Sequence, residues 1–486
     1  MKKNLVSSTL TRLAALLLAT TVVHTTAMAA TLTWDDGDTT NNWSVGANWT
    51  GTPDDTVPGS GDIAEFALSG SGSNQATLDS AQSVNGLSFN GGTGNFTISD
   101  SGTNTLTLGN GGITTDGDGN TYVVGATTLE HTTSITWTVA GADTLRISGQ
   151  LTDNGGFDNL TKQGAGTVEF TGGVDITSHT VLSDGVTIAN GGTFDNRGEV
   201  TIQNGAEFRV TGGAALKNNT ADSFTAIIED GGLVTLETSS GRVGSWTMKG
   251  GELNIQSGAT FGDWGGANTT MMTYTAGPGE QAQITGDGSW DTGRLTRRID
   301  VGDDAAVDVD MRIDVPLVNN DGRSGSFEKD GAGTLALHGD NTYNNPMNIN
   351  AGTLLINGSP TGQGAYTVDS DATLGGTGTI GLAGGNSVTV NTGGTIAPGA
   401  SVGTLNVDGD FAFGEDATYV WEFDDGTLDL VDITGDLALP ANATVDVDVL
   451  NGSLSGNYTL FSAGSLSGER YESQVHCAKS FTSTRR

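Results

Sequence analysis

Beyond its first thirty residues the chain places apolar side chains at every second position in short runs, and each run is broken by glycine, asparagine or aspartate. Val186-Thr187-Ile188, Val200-Thr201-Ile202, Phe208-Arg209-Val210 and Leu253-Asn254-Ile255 are representative, with Leu233 to Leu236 a denser version. Alternate side chains of an extended strand point to opposite faces, so each run can bury two or three apolar groups on one side. No long window beyond the N-terminus sustains a 3.6-residue apolar period, and glycine interrupts nearly every one.

The breaks themselves recur. Gly-Gly pairs begin at Gly155, Gly172, Gly191, Gly212, Gly231 and Gly250, spaced 17, 19, 21, 19 and 19 residues apart. Three short strands and three turns fill about twenty residues, at roughly 3.3 Å per strand residue. The pattern therefore predicts an all-β chain folded as one right-handed parallel β-helix, a solenoid whose rungs hydrogen-bond to the rungs above and below. Asn, Asp and Gly at the corners supply the positive φ that tight bends need. A propeller blade would repeat at about 40 residues or more. Two packed antiparallel sheets are the remaining all-β alternative.

Both ends depart from the rung pattern. Lys2 and Lys3 precede an apolar stretch at 13–23 (LAALLLATTVV) that runs to the small-x-small sequence Ala27-Met28-Ala29. That is the layout of a cleaved secretory signal peptide over residues 1–29, and the apolar run is too short for a span of about 20 residues. Residues 30–66 hold Trp34, Trp43 and Trp49, three of the eight tryptophans, and are expected to form an N-terminal cap that closes the first rung of a β-helix extending over 67–468. Residues 469–486 (ERYESQVHCAKSFTSTRR) contain no glycine, four basic residues and the single cysteine, Cys477. They read as foreign to the fold, the kind of tail a truncated or frame-shifted end would produce.

Composition narrows the function. With 20 Lys+Arg against 56 Asp+Glu the formal net charge is −36, so nucleic acid and anionic lipid are repelled. One cysteine excludes an intramolecular disulfide. No transmembrane segment is expected in the mature chain.

Chemical motifs are sparse. Gly376, Gly378 and Gly381 have the spacing of a dinucleotide loop, but a turn and strand follow where that chemistry needs a helix N-terminus. Gly399-Ala-Ser401-Val-Gly403 has nucleophile-elbow spacing, yet His476 in the odd tail is the only later histidine. Asp303, Asp304 and His338 match two fragments of the polygalacturonase pattern, whose Asn-Thr-Asp and Arg-x-Lys partners are absent. The stretch 307–315 (VDVDMRIDV) alternates, with Asp308, Asp310, Arg312 and Asp314 on one face and Val307, Val309, Met311, Ile313 and Val315 on the other, and reads as a solvated carboxylate row, with bound calcium the alternative. Asp446 and Asp448 read likewise. Asp116-Gly-Asp118-Gly-Asn120 opens like a calcium loop but has no glutamate at the twelfth place. His131, His179 and His338 have no metal-ligand spacing. No catalytic residue, metal ligand or cofactor is assigned, and the binding residues stay unassigned.

Two stretches carry a family resemblance. Residues 160–172 read LTKQGAGTVEFTG, and residues 327–358 read FEKDGAGTLALHGDNTYNNPMNINAGTLLING. Both resemble the autotransporter-associated β-strand repeat of bacterial surface and secreted proteins, the second over its whole length and the first over its opening half. Residues 375–405 and the opening Trp34, Trp43, Trp49 and 62–66 (DIAEF) are similar to segments that accompany such repeats. The resemblance implies a β-helical passenger region that is exported and displayed or released at the surface of a Gram-negative-type bacterium. It implies no reaction. Autotransporters end in a translocating barrel, and the chain after Tyr458 is too short to build one; neither does it show a C-terminal sorting signal. The sequence thus predicts a non-catalytic structural or adhesive solenoid whose partners are extracellular polysaccharide or envelope components. A β-helical polysaccharide hydrolase or lyase is the alternative.

Overall fold

The structure is a computed structural model that describes residues 29–468, apart from 52–53, 68–74, 93, 157, 218–223, 241–242, 263–269, 276, 278, 293–295, 320–324 and 363. The expected signal peptide, all but its final residue, and the tail at 469–486 lie outside the described residues.

Alternation becomes a three-sided parallel β-solenoid. On a first face Ile135–Thr138, Leu160–Gln163, Thr180–Leu182 and Glu199–Ile202 stack in parallel register. On a second, Thr144–Ile147, Thr167–Phe170, Gly185–Asn190 and Ala206–Thr211 do the same. On a third, Gln150–Thr152, Val174–Ile176, Thr193–Asn196 and Ala215–Lys217 follow. The chain visits the faces in a fixed order, and among the described residues the one helical element is the short 3₁₀ turn Gly46–Asn48. Backbone N–H and C=O groups of the paired strands thereby bond to the neighbouring rungs, which is what lets so glycine-rich a chain hold a fold without crosslinks.

The rungs are less uniform than the glycine spacing. Thr167 lies beside Val186 and Leu233 beside Glu252, each 19 residues on. Glu252 lies beside Gln283, 31 residues on, and Ala282 beside Met311, 29 on. Parallel ladders fix the strands but not the loops between them, so insertions at corners lengthen a rung without disturbing its register.

Two expected orientations are corrected. In Gly185–Asn190, Thr187 and Ala189 face inward while Val186 and Ile188 face out, because Val168 pairs with Thr187. Gly185, at φ +64, turns the corner so that the strand enters one position out of phase, and a single-residue slip reverses every side chain. In 307–315 only Met311–Ile313 is strand. Asp310, expected in solvent, is 1% exposed and accepts the backbone N–H groups of Asp304 (2.7 Å) and Thr334 (2.7 Å).

The core is a continuous column of side chains. Trp137, Phe170, Phe194, Phe208, Phe224, Trp246, Phe261 and Trp290 follow one another with ring centroids 5.1 to 6.5 Å apart, within the range of favourable aromatic contact. At the N-terminal end Trp34, Trp43 and Trp49 surround Phe66 at 5.5 to 6.3 Å. Thr31–Trp34 pairs in parallel with Ile63–Ala67 and antiparallel with the two-residue strand Trp49–Thr50. Trp43 N–H donates to the Thr77 carbonyl (2.8 Å) and Thr77 N–H to that of Asn41 (2.7 Å), so the same segment lies along the edge of the second face's first strand.

Burial also fixes an alkaline limit. Desolvation raises the phenols of Tyr122, Tyr343, Tyr366 and Tyr419 above their ordinary 10.0. Above that value the unfolded chain releases protons that the folded chain retains, so stability present below pH 10 is lost as pH rises further. We expect the 295 nm phenolate signal of these residues to appear together with loss of β-sheet circular dichroism. Titration of all four with the sheet intact would contradict this.

Candidate functional site

The residues with most chemistry in them sit at corners. Lys162 leaves the first face pointing inward, 1% exposed, because Lys162 alternates with outward Thr161 and Gln163. Its ammonium donates to the carbonyls of Gly164 (2.7 Å), Gly166 (2.6 Å) and Asp184. Lys329, fully buried, donates to the carbonyls of Asp330 (2.9 Å), Gly331 (2.8 Å) and Ala351 (2.9 Å). Burial pushes both groups down to about 8. The carboxylate of Asp184 opposes this for Lys162, and those of Asp330, Asp300 and Asp310 oppose it for Lys329, so both remain protonated at neutral pH.

Carboxylates brace other corners from one rung to the next. Asp143 accepts the N–H groups of Gly117 (2.7 Å), Gly119 (2.7 Å) and Asn120 (2.9 Å). Asp153 accepts both the N–H (2.8 Å) and the hydroxyl of Thr177 (2.5 Å). Asp100 takes the hydroxyl and N–H of Thr127 with the N–H groups of Gly102 and Asn104; these donors outweigh the upward push of burial and hold its carboxyl well below the ordinary range. Asp429 is pushed up to about 6, chiefly by burial, although Gly403 N–H (2.7 Å) and Glu422 N–H (2.8 Å) donate to it.

The outward faces carry paired charges. Arg146 meets Glu169 at 2.7 Å, Arg209 meets Glu207 at 3.0 Å, Arg298 meets Glu328 at 2.8 Å and Arg312 meets Asp314 at 2.6 Å. Such half-exposed pairs contribute little to stability.

The residues singled out in the sequence do not converge. Asp304 serves a turn, accepting Gly279 N–H (2.6 Å) and Ala306 N–H (3.0 Å). His338 lies past the far end of the second-face strand Thr334–Leu337, 3.3 Å from the Asn357 amide; burial and Arg312 lower its pKa. A strand length therefore separates it from Asp303 and Asp304. Gly376 and Gly381 end the strands Ala372–Gly376 and Thr379–Gly381, and no helix follows. Ser401 sits in the turn after Thr395–Pro398. Its expected partner His476 lies outside the described residues. The Asp116–Asn120 loop is held by Asp143, while Asp116 accepts the Tyr122 hydroxyl (3.1 Å) and Asn120 the Gly94 N–H (2.9 Å). His131, His179 and His338 lie on separate rungs, and among the described residues no three His, Cys, Asp or Glu side chains gather as a metal set. Asp446 and Asp448 are solvent-exposed.

The two buried lysines fall at equivalent places in the two resembling stretches, and a family model coincides with both. The passenger-associated-transport-repeat matches residues 160–194 and 327–356. The chain carries two passenger-associated-transport-repeats. The first repeat extends well past Gly172, where its resemblance had ended. Similar proteins include the Adhesin BmaC autotransporter of Brucella suis biovar 1 (strain 1330), 32% identical over 155 residues, or 30% of this chain and 4% of that protein. Another is the Extracellular serine protease of Serratia marcescens, 33% identical over 148 residues, or 30% of this chain and 13% of that protein. The matched stretches thus span a small part of either relative. No solved structure matches the chain. Among the described residues no helix is long and apolar enough to cross a membrane.

Proposed function

We propose that the chain is a non-catalytic passenger-type solenoid, exported to the cell surface or released from it, where it acts as an adhesive or structural rod. The observation that carries this reading is the pair of transport repeats built into a solenoid in which Lys162, Lys329, Asp143 and Asp153 brace one rung against the next. One relative is named as an adhesin. The other is named as a protease, but nucleophilic hydrolysis needs a base hydrogen-bonded to its nucleophile. Here His131 meets the Thr133 carbonyl (3.2 Å), His179 lies 3.9 Å from Glu199 and His338 meets Asn357, and none of these three contacts is to a serine hydroxyl. The repeated rungs of an acidic chain suit many weak contacts that add by avidity, with extracellular polysaccharide or envelope components as partners.

The test uses the purified full chain. Beads coated with it should bind envelope preparations and polysaccharide films, while incubation with a polysaccharide panel and with casein should release no new reducing ends, unsaturated ends or peptides. Turnover of any substrate would overturn the non-catalytic reading, and coated beads that bind no more than bare beads would overturn the adhesive one.

A further inference from the structure

We propose that each transport repeat is a two-rung latch, in which a buried lysine ammonium acts as a built-in cation that locks the corner of the following rung onto its own. This does not depend on what the rod adheres to.

An ammonium has three donors and no acceptor, and each of the two lysines finds three carbonyl oxygens. Two of these belong to the lysine's own corner: Gly164 and Gly166 for Lys162, Asp330 and Gly331 for Lys329. The third comes from the next rung, 22 residues ahead in both copies: Asp184 for Lys162 and Ala351 for Lys329. The residue after that third acceptor is a glycine at nearly the same left-handed angle, Gly185 at φ +64 and Gly352 at φ +63. A Cβ on Gly185 would fall 2.5 Å from the Lys162 ammonium, and one on Gly352 would fall 2.5 Å from the carbonyl oxygens of Gly331 and Gly333. The Lys-x-Gly-x-Gly sequence and the later Gly are thus parts of one device, although a full rung separates them.

Its energetic logic is asymmetric. A buried charge with an unfilled donor is costlier than one whose donors are all satisfied. Before the following rung docks, the ammonium has two of its three acceptors. Docking supplies the last one and shuts the site. In a solenoid whose stability is a sum of rung and nearest-neighbour terms, each lysine raises one particular neighbour term and makes two rungs open and close as a unit. The matched spans 160–194 and 327–356 each cover one rung and most of the next, which is the extent of the latch.

Native-state hydrogen exchange on the full chain tests this with Lys162→Met and Lys329→Met, which keep the stem and remove the ammonium. In Lys162→Met the amides of Ser183 and Val186, bonded to the carbonyls of Lys162 (2.9 Å) and Gly166 (3.2 Å), should exchange about 30-fold faster, and those of Asn350 and Thr353 should be unchanged. Lys329→Met should do the reverse. Local rates within twofold of wild type, or an equal acceleration along the whole chain, would overturn the latch. Should either variant fail to fold, the wild-type exchange map decides. Ser183, Val186, Asn350 and Thr353 should then be better protected than Gly394 and Thr418, at a corner that has no lysine, and equal or weaker protection would overturn the proposal.

Discussion

Replacing Asp143 by alanine is expected to cost about 3 kcal/mol, while replacing Asp118 by alanine costs less than about 0.5 kcal/mol. Both residues belong to the neighbourhood of the Asp116–Asn120 loop, but they do different work. The Asp143 side chain is fully buried and its two oxygens receive three N–H groups from the preceding rung, those of Gly117, Gly119 and Asn120. Alanine would strand these donors at a corner where Gly117 (φ +94) and Gly119 (φ +84) already hold the backbone in a left-handed turn. Asp118 is exposed, and its backbone N–H rather than its carboxylate makes the local bond, to Asp116 at 3.4 Å. Urea midpoints of the two variants, with exchange rates at 117–120, measure the contrast. The alternative reading of the loop as a calcium site reverses the order, because Asp118 would then be a ligand and millimolar calcium would raise the midpoint of the wild type. A calcium-dependent midpoint, abolished in Asp118→Ala, would refute the brace.

This contrast shows what the sequence disclosed and what it withheld. Period-two alternation and the Gly-Gly spacing reveal the solenoid because both are local properties of a strand and a turn. The second repeat is legible over its whole length because its rungs carry no insertion: Leu335 lies beside Leu354 and Leu354 beside Leu374, 19 and 20 residues on. The rungs from Glu252 to Met311 are half as long again, and there the period disappears from the sequence. Lys162 and Lys329 look in sequence like ordinary solvated cations flanked by polar residues. Only stacking shows that they point inward, since the acceptor that completes each cradle arrives 22 residues later. Asp310 and Asp143 were hidden in the same way, as carboxylates in an acidic chain whose partners are backbone N–H groups, those of Asp143 on the adjacent rung and those of Asp310 at its own corner and on the next rung. The two polygalacturonase-like fragments are kept apart for a related reason. Asp304 and His338 are joined by motif spacing but lie at opposite ends of a face, and a parallel ladder gathers residues that share a register position rather than residues that share a motif.

Trp49→Ala is expected to be the most damaging single change at the N-terminal end, costing about 3–5 kcal/mol locally. The indole is fully buried, packs at 5.1 Å on Trp34, 5.0 Å on Trp43 and 5.6 Å on Phe66, and donates its N–H to the Trp43 carbonyl at 2.9 Å. Losing it therefore removes the contact that joins Trp49–Thr50, the strand laid antiparallel along the edge of Thr31–Trp34, to residues 41–43, which lie along Gln75–Leu78. Both edges are then bared together. A parallel ladder with a free edge is a template for another chain, so the second expected effect is association through the N-terminal rung. Light scattering should show mass rising with concentration for Trp49→Ala relative to wild type, while circular dichroism of the remaining rungs persists, because nearest-neighbour stability confines the damage. Trp49→Phe, which restores most of the volume but not the N–H, should recover the wild-type mass. If Trp49→Ala scatters as the wild type does at every concentration, the aromatic segment fills the end of the core without guarding its edge.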